Sequence, residues 1–282
     1  MNMKRFVTAF WLFQLSVVFI AQGQGAPQVT VIRYDTIVVK DKQNPSVEQW
    51  MIYNRNSGRV IRSGRVENGK KDGIWKSYYE NGMISRIEEF NDDVQGGTAI
   101  SIETNGYVSK EENIVNGVKN GICREYNRNG TIKLEENYAD GKLNGWRRAF
   151  SNDGKLQEEG NWKDGVRDSI NRWADPGGKI YVEYFYRGGN INGPGKIYFG
   201  SGKLKAEGNF TGGYENGTWK EYSDSTGKLV AEGAYLSGKK TGLWKYFNDD
   251  GSPLKTQEFD AEGNLIKETL APAGGAKTKS NK

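Results

Sequence analysis

Apolar residues recur along this chain in short runs, and the runs repeat with a period of 24 residues that two glycine series mark. The first series consists of Gly58, Gly82, Gly106, Gly130, Gly154, Gly178, Gly202, Gly227 and Gly251, with one inserted residue before Gly227. The second consists of Gly73, Gly97, Gly121, Gly145, Gly193, Gly217 and Gly242, with Ser169 in the place of one glycine. Self-similarity at a fixed period of this size indicates a repeat architecture.

The chemistry of each unit predicts a β-hairpin. The segments between turns are about six to nine residues long and rich in aromatic and β-branched side chains, as strands are. Pairs such as Asn81-Gly82 and Asn129-Gly130 accept positive φ and predict two-residue hairpin turns. The predicted turn glycines are all members of both series except Gly58 and Gly97. The sequence therefore predicts an all-β protein, an elongated and twisted antiparallel sheet of consecutive hairpins.

Aromatic residues occupy fixed places in the unit. The candidate aromatics are Trp75, Tyr78, Tyr126, Phe150, Tyr198, Trp219, Tyr222 and Trp244, and Cys123 holds the tryptophan place of one unit. The rings could form an exposed platform for carbohydrate or lipid, or they could be the core that each unit buries against its neighbours. The small amount of other apolar mass in each unit favours the core.

Residue spacing predicts which side chains share a face of the sheet. Ile84 and the second aromatic, Phe90, lie six residues apart, so a regular strand places both on one face. Trp75 and Tyr78 lie three apart, so that either both faces carry aromatics or a bulge turns one of them.

A glutamate recurs in nearly every unit and is expected on the face opposite the second aromatic. The members are Glu89, Glu111, Glu135, Glu159, Glu183, Glu207 and Glu232. Paired carboxylates can serve as acid and base in glycoside hydrolysis. A residue repeated in so many units is a poor candidate for a unique catalytic centre, and pairing with Lys or Arg across strands is the favoured interpretation.

Composition narrows the chemistry further. The chain has no histidine and a single cysteine, Cys123, which excludes imidazole-based catalysis, His-ligated metal sites and intrachain disulfides. The Asp-rich turns lack the spaced ligands of a calcium loop. We therefore predict no catalytic residue, no cofactor and no metal site.

The net charge of +5 does not indicate nucleic-acid binding. Lys4 and Arg5 lie in the leader, and Lys277, Lys279 and Lys282 lie in the tail, so the body of the chain is neutral. A neutral body has no footprint for phosphates.

The chain divides into four segments. Residues 1–23 read as a signal peptide, with a basic start, an apolar run of 16 residues from Phe6 to Ala21, and small residues at the cleavage site. Residues 24–49 read as an N-terminal strand or cap, residues 50–270 as the repeat array, and residues 271–282 as a disordered basic tail. The leader predicts export to the periplasm or the extracellular space.

The pattern G-x-W-x-x-Y-x-x-x-G-x-L-x-x-E, over roughly residues 50–263, resembles the bacterial variant of the MORN repeat. Proteins of that family are often labelled antitoxins, and the wider class supplies membrane-associated scaffolds, dimerisation modules and phospholipid binders. The resemblance implies binding and not catalysis. We expect an exported, non-enzymatic scaffold that binds a protein partner, or else a membrane surface or polysaccharide. The alternatives are an antitoxin or immunity-type protein and a carbohydrate- or lipid-binding accessory protein of the envelope.

The leader generates a direct test. The mature protein is expected to begin near residue 24 or 26 and to fractionate outside the cytoplasm, because the apolar run is too short to span a bilayer comfortably. N-terminal sequencing of the purified protein checks this. Recovery of intact Met1 in a cytosolic fraction would contradict it.

Overall fold

The computed structural model describes residues 29–33, by their backbone alone, and residues 35–272. The predicted signal peptide and all but the first two residues of the predicted tail lie outside the described residues. The described chain contains 22 strands. They are β1 (Val29–Arg33), β2 (Thr36–Lys40), β3 (Val47–Tyr53), β4 (Val60–Glu67), β5 (Lys70–Tyr78), β6 (Ile84–Asn91), β7 (Val94–Ile102), β8 (Val108–Val115), β9 (Val118–Lys119), β10 (Gly121–Tyr126), β11 (Ile132–Ala139), β12 (Lys142–Phe150), β13 (Leu156–Lys163), β14 (Val166–Ala174), β15 (Ile180–Arg187), β16 (Asn190–Tyr198), β17 (Leu204–Thr211), β18 (Tyr214–Tyr222), β19 (Leu229–Leu236), β20 (Lys239–Phe247), β21 (Pro253–Phe259) and β22 (Leu265–Leu270).

The strands fall into two compact units. The first unit takes the residues up to Val108 together with Ile114–Gly117, and the second takes Ser109–Asn113 together with the chain from Val118 onward. Within the first unit β1 to β7 pair in chain order, and within the second β8 pairs with β10 and β10 to β22 pair in chain order. Every one of these pairings is antiparallel. The predicted all-β fold of consecutive hairpins is therefore confirmed. No helix in residues 29–33 and 35–272 is long and apolar enough to cross a membrane.

In each unit, the edge formed by one set of strand ends is closed by two-residue turns. In the turn from β4 to β5 both central residues have positive φ, 51° at Asn68 and 80° at Gly69. This is the type I′ geometry, whose twist matches that of the strands it joins. The same geometry recurs at Asn116-Gly117, Asp140-Gly141, Asp164-Gly165, Gly188-Gly189, Gly212-Gly213 and Ser237-Gly238. We call this edge the type I′ edge.

The opposite edge carries longer loops, and here the sequence prediction was wrong. At Asn81-Gly82 only the glycine has a positive φ, 85°. The Gly82 N–H donates to the Tyr79 carbonyl (2.9 Å), and the Tyr79 N–H donates to the Met83 carbonyl (2.8 Å). The connection is thus a three-residue loop that ends in a left-handed glycine, not a two-residue turn. The residue inserted before Gly227 lengthens one such loop, in which the Gly227 N–H reaches back four residues to Ser223.

Six of the predicted turn glycines lie inside strands instead. They are Gly73, Gly121, Gly145, Gly193, Gly217 and Gly242, and all have positive φ. Each lies at a β-bulge, where its strand has more residues than the neighbouring strand or segment beside it. Between β4 and β5, for example, the register jumps from Gly64↔Trp75 to Arg65↔Asp72. A β-bulge with a left-handed residue favours glycine. At Gly145 space demands it too, since a Cβ would lie 2.7 Å from the Asn137 side chain.

A second register shift decides which residues share a face. Between β5 and β6, Ser77 pairs with Arg86, and the next pair is Tyr78 with Ile84. Ile84 therefore shares a face with Tyr78, whereas Phe90, which pairs with Gly73, lies on the face of Trp75. The prediction that Ile84 and Phe90 share a face is wrong because of this bulge. Of the two alternatives for the aromatics, both faces carry them.

We call the two sides the tryptophan face, which carries Trp75 in the first unit and Trp219 and Trp244 in the second, and the tyrosine face, which carries Tyr78 in the first unit and Tyr126 and Tyr222 in the second. The glutamate row and the second aromatic lie on opposite faces, as predicted: Glu135 pairs with Arg124, and Tyr138 pairs with Gly121 on the face of Cys123.

The tryptophans are the core of their face, and each lies on bare backbone. Each ring covers a glycine of the preceding strand, and its Nε1–H donates to the carbonyl of the next residue. The sets are Trp75 over Gly64 with Arg65 (2.9 Å), Trp219 over Gly208 with Asn209 (3.1 Å), and Trp244 over Gly233 with Ala234 (3.0 Å). The register shift after each glycine opens the pairing at the accepting carbonyl.

Neighbouring rings and long cations close the tryptophan face. Tyr235 packs edge-to-face between Trp219 and Trp244, with ring centroids 5.9 and 5.2 Å away. The Lys240 ammonium lies 3.9 Å from the centroid of Trp244. Among the described residues no second layer of secondary structure covers this face, and cation–π contacts of this kind replace it.

The contact between tryptophan and glycine predicts a sharp difference between two glycines of the first unit. Gly64→Ala should lower the free energy of unfolding by roughly 1–3 kcal/mol, because the new Cβ overlaps the Trp75 ring. Gly96→Ala, with an ordinary φ and nothing near its Cβ, should be neutral or slightly stabilising. Urea unfolding of both variants checks this, and equal effects would contradict it.

Candidate interaction surface

The tyrosine face of the second unit carries a ladder of alternating charges, one on each strand from β10 to β20. The glutamates come from odd-numbered strands and the cations from even-numbered ones, so every carboxylate has a basic side chain on the next strand. The ion pairs are Arg124 with Glu135 (2.8 Å), Arg148 with Glu135 (3.7 Å) and Glu159 (2.9 Å), Arg172 with Glu159 (3.2 Å) and Glu183 (2.6 Å), and Lys245 with Glu232 (3.4 Å). We call this row the ladder.

Hydrogen bonds to the carboxylates hold the ladder together. The bond from Arg124 to Glu135 raises the pKa of Arg124, and the bond from Arg172 to Glu183 does the same for Arg172. Both guanidiniums stay charged, and each pairs with a glutamate of the ladder. The predicted pairing with Lys or Arg across strands is confirmed for Glu135, Glu159, Glu183 and Glu232.

Glu89 is an exception to that prediction. It pairs across the strands with Ile74, whereas the residue at the ladder position of its unit is Ile87, opposite Lys76. The ladder is therefore a feature of the second unit.

Tyrosines adjoin the ladder. Tyr126 donates to Glu111 (2.6 Å) and Tyr222 donates to Glu207 (2.7 Å). Burial, and then the bond to Glu207, raises the pKa of Tyr222 to about 12. The phenols of Tyr126 and Tyr222 remain protonated at neutral pH and serve as hydrogen-bond donors to the two glutamates.

The eight aromatics singled out from the sequence separate into two groups. Trp75, Trp219 and Trp244 are buried on the tryptophan face. The other five lie half-buried on the tyrosine face; they are Tyr78, Tyr126, Phe150, Tyr198 and Tyr222. None of the eight is an exposed ring.

Trp146 is an exposed ring that the sequence pattern did not single out. Its exposed fraction is 42%, compared with 3% for Trp219. In the usual unit the tryptophan stands two residues after the bulge glycine, whereas Trp146 directly follows Gly145. An offset of one residue moves the side chain to the other face. That offset is visible in the sequence and could have identified the residue.

Trp146 belongs to a group of exposed apolar side chains on the tyrosine face, on the half nearest the type I′ edge. The members in the second unit are Val118, Ile122, Trp146, Val166, Tyr214, Leu236 and Leu243. They form two rows that run across the strands, one next to the turns and one between the turns and the ladder. We call this group the apolar rows. Polar residues such as Lys142 and Lys163 interrupt the rows. A concentration of large exposed apolar side chains on one part of a face nevertheless favours an interaction site.

The remaining candidate chemistry is inert. Cys123 is buried at a tryptophan place, and burial raises the pKa of its thiol, so it is a poor nucleophile. Within the described part of the chain no cluster of Cys, Asp or Glu could hold a metal ion.

Comparison with known proteins agrees with the repeat geometry. Residues 71–92, 119–140 and 191–211 match the family model described as MORN repeat variant, and each match spans one hairpin of the array. MORN repeats are in general protein or membrane interaction modules. No curated protein matches the sequence. Among solved structures, a mutant Tc holotoxin pore of Photorhabdus luminescens aligns at 10% identity over 86% of this chain and 18% of its own chain, with a TM-score of 0.17.

The ladder and the tryptophan core predict mutational effects of different size. Replacing Glu135 and Glu159 by Gln should cost less than about 1 kcal/mol each, because the pairs are partly exposed and the amides keep the shape of the carboxylates. Trp219→Ala should cost roughly 3–5 kcal/mol, because it empties a buried ring site. Thermal and urea unfolding measure both. Equal losses would contradict the assignment of core and ladder.

Proposed function

We propose that this protein is an exported, non-enzymatic scaffold that holds a macromolecular partner on the tyrosine face of its second unit. The observation that carries the proposal is the set of apolar rows, seven large side chains exposed on one half of one face. The general role of MORN repeats as interaction modules supports it, and the leader supports export.

The tryptophan face is the poorer candidate surface. Its rings already lie against glycines and under cations such as Lys240 and Lys71, and Trp75 and Trp244 have almost no exposed area. A partner there would have to displace those contacts. The apolar rows, by contrast, lose water without losing any internal contact when they are covered, and that burial favours association.

The ladder fits the same role. Its charges are satisfied within the sheet, so a bound partner does not have to pair them. It also fixes the lateral spacing of the side chains beside it, because the charged groups from Arg124 to Glu183 are each tied to a neighbouring strand. Rigid presentation reduces the entropy lost on binding.

Site-specific photo-crosslinking tests the proposal. A photoreactive side chain at Val166 or at Leu236, both in the apolar rows, should give a crosslinked adduct of raised mass in cells that make the protein. The matched control is Ser201, exposed in a loop of the opposite edge, where no adduct of that mass is expected. No adduct from the apolar rows, or the same adduct from Ser201, would overturn the proposal.

A further inference from the structure

The surroundings of Trp146 indicate which class of macromolecule the tyrosine face binds, and this inference rests on the proposed function. We propose that Trp146 and Asn161 form a binding site for a neutral polysaccharide chain on the tyrosine face. The ring supplies a stacking surface, and the amide supplies hydrogen bonds to sugar hydroxyls. Such a pair of groups suits a ligand that is apolar on its faces and polar around its edge.

The ring of Trp146 is exposed and yet held in place. The guanidinium carbon of Arg148 lies 5.5 Å from its centroid. Arg148 is in turn held by Glu159 at 2.9 Å and by Glu135 at 3.7 Å. A ring that is fixed before the ligand arrives loses little conformational freedom on binding.

Asn161 lies directly opposite Trp146 on the neighbouring strand, and its amide is unused. The equivalent asparagines of the two preceding units are occupied: Asn113 donates to the Ile122 carbonyl (2.6 Å) and Asn137 to the Asn144 carbonyl (2.9 Å). Asn161 makes no side-chain hydrogen bond to any described residue. In the next unit Ser169 replaces the bulge glycine. The backbone that would accept a hydrogen bond from the Asn161 amide is therefore different from that of the preceding units. A free donor and a free acceptor thus stand beside an exposed ring.

The surroundings of the pair hold charges of both signs, with no excess of positive charge. Arg148 is neutralised within the ladder. Asp168 lies directly opposite Asn161 on β14. Lys142 and Lys163 stand in the row next to the turns, and Asp140 and Asp164 stand in the adjoining turns. Anionic membranes and nucleic acids call for an excess of positive charge, and this site does not provide one. A neutral ligand matches the balance.

The row that contains the site also suits an extended chain. Trp146 on β12 pairs with Asn161 on β13, and Asn161 pairs with Asp168 on β14. Ile170, also on β14, pairs with Phe185 on β15, and neighbouring strands lie about 4.8 Å apart. Sugar rings in an extended polysaccharide advance by a comparable step. Successive sugars could therefore meet successive side chains of the row, with Trp146 as the anchor.

The test uses the mature protein and three neutral probes: chitohexaose, cellohexaose and xylohexaose. Titration calorimetry should show that at least one of them binds. Trp146→Ala should weaken that binding by about tenfold or more, since a stacked ring is lost. Asn161→Ala should weaken it by a smaller factor. Tyr181→Ala is the matched control, an aromatic that is 46% exposed and belongs to neither of the apolar rows, and it should leave the affinity unchanged.

Two outcomes would overturn the inference. One is that none of the neutral probes binds, and the other is that Trp146→Ala binds as tightly as the wild type. Trp146 is a surface residue, and unfolding curves of the variants establish that they are folded. If the probes fail while the crosslinks from Val166 persist and prove to be to a protein, the scaffold proposal stands and only the polysaccharide assignment falls.

Discussion

The structure depends on one constraint, namely that each described unit is a sheet with no second layer of secondary structure to bury its aromatic side chains. A tryptophan in such a sheet must find its packing partner within the sheet itself. Glycine supplies it, because removing one side chain leaves a flat patch of backbone on which the indole of Trp244 or Trp219 can lie. The bulge beside that glycine then frees a backbone carbonyl, which accepts a hydrogen bond from the indole N–H. One irregularity in the backbone pairing therefore provides both room for the ring and a partner for its N–H.

The packing of the tryptophans occupies the tryptophan face and leaves the tyrosine face available for binding. The tryptophan face is sealed by its own rings and cations, whereas the tyrosine face carries paired charges and unpaired apolar side chains. The same bulges that seat the tryptophans decide which residues appear on the tyrosine face. Trp146 illustrates this: one residue of offset from Gly145 converts a core residue into a surface residue.

Much of the fold follows from the sequence, because a period of 24 and strand-like segments depend only on local chemistry. The pairing of Glu135 and Glu159 with arginines followed for the same reason. The faces of Ile84 and Phe90 could not be predicted by counting, since a bulge adds a residue that alternation does not register. The glycine at Gly73 looked like a turn because left-handed glycines serve turns and bulges alike. The repeat pattern does not point to Trp146, because this residue stands one position before the place that Trp75, Trp219 and Trp244 share.

The loops of the edge opposite the type I′ turns show where the array can change length. The loop that ends at Gly227 holds an extra residue, yet β18 and β19 still pair Lys220 with Glu232, as the ladder requires. The insertion is absorbed before it reaches the strands. During evolution such loops can gain or lose residues, whereas a single deletion inside a strand would exchange the two faces from that point on. Selection should therefore tolerate length variation at this edge and act against it within the strands.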